Sequence, residues 1–148
     1  MPNTSISEFF KQKAKRAQPP RDWRARKKAF VNDVEALYRR IAKYLKGAGP
    51  AVSVEYSDTM LREPHVGEYP VREMLLRVGD ERVVFTPKGI NIFGAAGRVD
   101  VRGERGDGML VLQPRHRWCV VKSTRPTLHV VDLTEKTLGD LLQEIMRP

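Results

Sequence analysis

The 148-residue chain holds a single cysteine, Cys119. No internal disulfide can form, which excludes the stapled architecture of small secreted domains. The chain has no apolar run of the ~18 residues that a membrane-spanning helix needs. Its first residues, Met1 to Ser5, are polar and lack the apolar centre of a secretory signal. These absences favour a reducing, cytoplasmic setting. Acidic residues are scarce in the first third. Residues 1–46 carry 13 Lys and Arg against four Asp and Glu, whereas residues 47–148 carry 14 of each sign. The whole net charge of +9 therefore lies ahead of residue 47. Such an asymmetry suggests a basic arm that seeks an anionic partner. The plain alternative is a solvated helix face that happens to be basic.

Motifs that carry chemistry are also missing. His65, His116 and His129 are scattered, and none has the spacing of a metal site. Gly94-Ala95-Ala96-Gly97 fails the dinucleotide-binding pattern and lacks the Walker lysine, so it reads as a backbone feature of a sheet. Lys88 to Phe93 faintly echoes an RNA-recognition motif, but Ile90 and Ile92 stand where base-stacking rings are needed. Acidic pairs in turns match no calcium loop, and Arg105-Gly106-Asp107 is a hairpin tip. Cys119, between Trp118 and Val120, reads as a small buried hydrophobe. No cofactor and no metal are expected.

What is present is a clear order of elements. Ser5-Ile6-Ser7-Glu8 has the form of a capping box and predicts a short helix to about Ala17, with Ile6, Phe9, Phe10, Ala14 and Ala17 on one apolar side. Pro19-Pro20 stops it. A second helix is predicted from about Asp22 to Lys46, with Trp23, Phe30, Val34, Leu37, Ile41 and Leu45 in a narrow wedge and Tyr38 at its edge. Gly47 to Pro50 ends it.

The middle of the chain is rich in β-branched residues cut into short pieces by turn formers. Strands are expected over 51–57, Val71 to Val78, Arg82 to Thr86, Ile90 to Phe93, Arg98 to Arg102, Met109 to Leu112, Arg117 to Val121 and Leu128 to Val131. Gly79-Asp80 and Pro87-Lys88-Gly89 read as turns. Connections this short require antiparallel pairing. Leu133-Thr134 opens a last helix, capped by Thr134 and stapled by Leu133 against Leu138. Leu138, Leu141, Leu142, Ile145 and Met146 form its apolar stripe.

The expected fold is α+β: two N-terminal helices, an antiparallel meander of about six to seven strands, and a C-terminal helix packed on the sheet. Strands closed by a final helix resemble pleckstrin-homology-like and helix-grip layouts, a likeness of architecture that carries no function. The chain divides into a basic helical arm, residues 1–20, and one α+β domain, residues 21–148.

Three functions compete. The first is a small non-enzymatic binding module whose basic helices engage nucleic acid or another polyanion, through Lys11, Lys13, Lys15, Arg16, Arg21, Arg24, Arg26 and Lys28. The second is a protein–protein adaptor or inhibitor, which places the same helices on an acidic protein or on a second copy in a homo-oligomer. The third is a small ribonuclease with His116 as its best residue, in the basic run Arg115-His116-Arg117. That reading requires His116 in a concave pocket beside a carboxylate. Burial of Trp23 and Phe30 against the chain's own sheet would favour the first reading, and their exposure the second.

Overall fold

The computed structural model describes residues 5–10, 23–90 and 96–148. Residues 6–10 are helical. The Ser5 hydroxyl accepts from the Glu8 backbone N–H at 3.1 Å, which is the forward half of the expected capping box. The expected continuation to Ala17 and the stop at Pro19-Pro20 lie outside the described residues. Helical spacing gives Phe9 and Phe10 the pattern of core residues, but they and Ile6 are all exposed. The inner face of the sheet is occupied by the other two helices, and these three side chains have no place in that core.

The long helix Trp23–Tyr44 buries Phe30, Val34, Leu37, Tyr38 and Ile41. These positions share one side of a 3.6-residue turn. Tyr38 is buried rather than marginal because its hydroxyl finds an acceptor: it donates to the Arg72 carbonyl at 2.7 Å. The helix stops two residues before the expected end at Lys46, and Gly47 and Gly49 follow with φ of +89° and +104°.

The sheet contains β1 (Val52–Glu63), β2 (Gly67–Val78), β3 (Glu81–Gly89), β4 (Gly97–Arg102), β5 (Asp107–Gln113), β6 (Arg117–Ser123) and β7 (His129–Asp132). All seven lie in chain order, each antiparallel to the next. Alternation sets the two faces. Met74, Leu76, Val83, Phe85, Val99, Val101, Leu110 and Val120 point into the core against both helices. Thr86, Arg98, Asp100, Arg102 and Met109 point to the other face.

β1 and β2 are longer than expected. They pair from Val52↔Val78 to Glu63↔Gly67, whereas β2 pairs with β3 only over Met74 to Val78. The far half of this hairpin thus leaves the sheet. Its buried positions switch from Met74 and Leu76 to Tyr69 and Val71, a change of parity that marks a twist at Arg72-Glu73. The tip turns toward the start of the long helix, where Lys27 Nζ lies 6.0 Å from the Tyr69 ring centre.

Pro87-Lys88-Gly89 is not a turn but the end of β3. Pro87 pairs with Val99, and the register shifts before Gly89, whose φ is +131°. Bulges are where a sheet accepts proline and glycine. The close neighbour of Gly89 is Glu63, a carboxylate only 9% exposed, which accepts from the Ile90 N–H at 2.9 Å and from the Tyr69 hydroxyl. Ile90 is buried; the rest of the strand expected at Ile90 to Phe93 lies outside the described residues.

The C-terminal helix Glu135–Ile145 begins at Thr134, whose hydroxyl accepts from the Thr137 N–H at 3.0 Å, while Thr137 Oγ1 accepts from the Thr134 N–H at 2.8 Å. Leu133, Leu138, Leu141 and Ile145 are buried, and Leu142 and Met146 are half-buried against them. Gly108 gives the helix its approach, since a Cβ there would stand 2.5 Å from Leu141 Cδ1. Beyond the helix, the Arg147 N–H donates to Glu81 at 2.6 Å, and the Arg147 guanidinium meets Asp80 at 2.9 Å and Glu104 at 2.8 Å. No described helix is long and apolar enough to cross a membrane.

Candidate polyanion-binding face

The long helix turns its apolar wedge to the sheet, so its opposite side faces solvent. Arg24, Lys28, Asn32, Ala36, Arg39 and Lys43 follow one another there at spacings of three or four, all exposed, and Lys46 continues the row past the helix end. No acidic residue stands in this row. The two acids of the helix are turned to its flanks and held from outside the helix: Glu35 by the guanidinium of Arg72 on β2, and Asp33 by His116 from the turn between β5 and β6. Three other cations of the helix are also engaged. Arg26 stacks over the Trp23 ring at 4.5 Å, Lys27 lies over Tyr69, and Arg40 donates to the Tyr44 hydroxyl at 2.7 Å and to the Leu133 carbonyl. Arg24, Lys28, Arg39 and Lys43 remain without a partner among the described residues. At a rise of ~1.5 Å per residue they mark a positive stripe about 28 Å long.

Of the residues expected to bind an anion, Arg24 and Lys28 lie on this stripe, and Arg26 is turned aside to Trp23. Lys11, Lys13, Lys15, Arg16 and Arg21 lie outside the described residues. The sequence places Arg39 and Lys43 on the polar side of the helix without assigning them to the site. Their freedom depends on Arg72 and His116 taking up the neighbouring acids, and no local spacing signals those pairs.

A pocket of about 190 Å3 opens beside the same helix, with Arg26, Phe30, Asp33, Leu112, Arg115 and His116 in its lining. His116 comes from the Pro114-Arg115-His116 connection between β5 and β6. Arg115 and His116 both have positive φ, +68° and +58°. Two successive non-glycine residues in that region are strained. The bend returns His116 onto the helix, where Nδ1 is 2.9 Å from each oxygen of Asp33. The Trp118 indole N–H donates to the Asp33 carbonyl at 3.0 Å, tying the helix to β6 one step further along. The arrangement required for a histidine-based activity, an imidazole in a concave pocket beside a carboxylate, is therefore present. Its carboxylate is 83 positions earlier in the chain.

A larger groove of about 530 Å3 runs over the sheet face away from the helices. Its charges are of both signs: Arg98 is paired with Asp100 at 2.6 Å and Arg102 with Asp107 at 3.4 Å, while Lys88 and Lys122 have no carboxylate partner among the described residues. Cys119 is buried, and burial raises the pKa of its thiol, which suits a packing residue rather than a nucleophile. His65 and His129 are exposed and apart from the pocket. Among the described residues no group of three His, Cys, Asp or Glu side chains is placed to hold a metal ion. Compared with family models, with curated proteins and with solved structures, the chain matches none.

Proposed function

We propose that the chain is a binding module for nucleic acid or another polyanion, with the solvent side of the long helix as its contact surface. The observation that carries this reading is the sorting of charge on that helix. Phe30 is buried and Trp23 packs on the core, so the large aromatic side chains at the start of the helix are taken up by the chain's own core. The acids of the helix are engaged from behind by Arg72 and His116, and its unpaired cations face water in one row. Rows of this kind contact phosphates and carry little sequence information.

Fluorescence titration of RNA and DNA oligomers across salt tests the reading. Each lost phosphate contact flattens the log–log salt slope by ~0.9 on duplex DNA and ~0.7 on single strands. Arg24→Gln, Lys28→Gln and Arg39→Gln together should flatten it by about 2–3 on duplex DNA, with helix propensity nearly unchanged. Arg26→Gln should do less, because Arg26 is spent on Trp23. Absence of binding at low salt sinks the proposal.

A second reading, a protein adaptor, draws on the exposed Ile6, Phe9 and Phe10. Apolar side chains gathered on one short helix suit a protein surface or a second copy. Sedimentation of wild type against Phe9→Ser/Phe10→Ser separates self-association from the monomeric form.

A further inference from the structure

We infer that Asp33 and His116 form a general-base pair that cleaves RNA held along the basic helix. The inference rests on the nucleic-acid reading and adds chemistry to it. It starts from the hydrogen bond. A carboxylate offers only acceptors, so the proton between the two groups sits on His116 Nδ1. In the neutral imidazole that fixes the tautomer and leaves a lone pair on Nε2. The order of exposure is right for such a pair: the Asp33 side chain is 15% exposed and that of His116 72%. The carboxylate stands behind, shielded, and the imidazole stands in front, open to a substrate.

The orientation is held from several sides. Asp33 is fixed by its helix and by the Trp118 N–H on its carbonyl. His116 is fixed by a backbone conformation that histidine adopts only at a cost. A glycine or asparagine would suit that bend better, and the chain instead places Arg115 and His116 there. Strain kept at a polar pair beside a cavity is characteristic of sites that act on a ligand. Arg26 and Arg115 line the same pocket as His116, Arg26 with its guanidinium over the Trp23 ring and Arg115 next to His116 in the chain. The pocket also adjoins the positive stripe, since Asp33 follows Asn32 in the helix and lies about 100° around it.

The reaction these groups suit is internal transesterification. His116 Nε2 takes the proton of a ribose 2′-hydroxyl. The 2′ oxygen bonds to the adjacent phosphorus, and the bond from phosphorus to the 5′ oxygen breaks. The departing 5′ oxygen takes a proton from water, and the resulting hydroxide recovers the proton held by the imidazolium. The products are a 2′,3′-cyclic phosphate and a 5′-hydroxyl, with no net change in protons. Arg115 offsets the charge that builds on the phosphoryl oxygens. Asp33 does not touch the reacting atoms; it is a positioning residue, which holds the tautomer and stabilises the imidazolium.

The test uses the full chain with three end-labelled oligomers of one sequence: RNA, 2′-O-methyl RNA and DNA. All three should bind, and only RNA should be cut, leaving a 2′,3′-cyclic end. His116→Asn, which tolerates the left-handed backbone, and His116→Ala should each lower the rate ~10²–10⁴-fold with the binding midpoint unchanged. Asp33→Asn should also lower kcat per folded molecule while KM stays near wild type, and Asp33→Glu, which keeps the carboxylate, should restore part of the rate, a difference that a loss of folding would not give. Thermal unfolding of each variant separates lost chemistry from lost structure. RNA that binds but stays intact overturns the general-base pair and leaves the binding reading standing. Cleavage undiminished in a folded His116→Asn protein overturns it too, as does cleavage of 2′-O-methyl RNA. Absence of binding to all three overturns both readings.

Discussion

Gly89 is the position at which a single methyl group should do the most damage. In Gly89→Ala the new Cβ would lie 2.1 Å from Glu63 Oε1 and 2.2 Å from Glu63 Cδ. No carbon–oxygen contact survives at that distance, so the Glu63 carboxylate has to leave. It then gives up the Ile90 N–H at 2.9 Å and the Tyr69 hydroxyl. A hydrogen bond to a charged group contributes ~1.5–3 kcal/mol. Alanine at φ +131° adds strain of ~1–3 kcal/mol. The two hydrogen bonds and the strain together come to about 4–9 kcal/mol against a typical domain stability of ~5–15 kcal/mol. For a chain of this size that lowers the melting temperature by roughly 10–30 °C. Urea denaturation followed by tryptophan fluorescence measures it. A double variant isolates the steric part: with Glu63→Ala in place the methyl meets no carboxylate, so the two changes together should cost less than their sum. A Gly89→Ala protein within 1 kcal/mol of wild type, on the order of an ordinary surface change, would refute the account of this bulge.

The remaining expectations concern other parts of the core. Leu141→Ala should destabilise by ~2–5 kcal/mol, because Leu141 is buried against Gly108 and anchors the C-terminal helix; an unchanged denaturant midpoint would argue that the helix is not docked. Tyr38 and Tyr69 have hydroxyls pushed well above their ordinary value by burial, with the carboxylate of Glu63 adding to the effect at Tyr69. Their contribution is fully present below the unfolded value of about 10 and is lost as pH rises beyond it, because the unfolded chain releases protons that the native state keeps. Stability should fall above that pH by up to ~1.4 kcal/mol per unit for each tyrosine, and Tyr38→Phe/Tyr69→Phe should flatten the fall; superimposable alkaline limbs would contradict it.

Periodicity and turn chemistry made most of this architecture legible. The wedge of the long helix, the cap at Thr134 and the antiparallel meander all depend on residues within a few positions of each other, so the sequence carries them locally. Pro87-Lys88-Gly89 was misleading for the same reason. Proline and glycine at that spacing fit a turn, and only the neighbouring strand makes them a bulge. Phe9 and Phe10 have helical spacing, but spacing does not say whether a surface exists to receive them. The site was the least legible part. Its basic charge is plain in the composition, yet which cations are free depends on Arg72 reaching Glu35 and His116 reaching Asp33, 37 and 83 positions away. Likewise the basic run around His116 singles it out among the histidines, but only the helix supplies its carboxylate.

The strictly consecutive strand order has a bearing on how the chain matures on the ribosome. Each strand pairs with the one made just before it, so the sheet can grow hairpin by hairpin as the chain emerges. The long helix has no such immediacy. Its hydroxyl at Tyr38 waits for Arg72, its carbonyl at Asp33 for Trp118, and Arg40 for Leu133, 93 positions later. At a synthesis rate of ~5–20 residues per second that last contact follows Arg40 by about 5–20 s. Through that interval Phe30, Val34, Leu37 and Ile41 face a sheet that is still incomplete, on a helix whose isolated stability is marginal. The element translated first among the described core is thus the last to be secured at both ends, and a stalled or truncated chain ending before β6 would leave that apolar face open to aggregation.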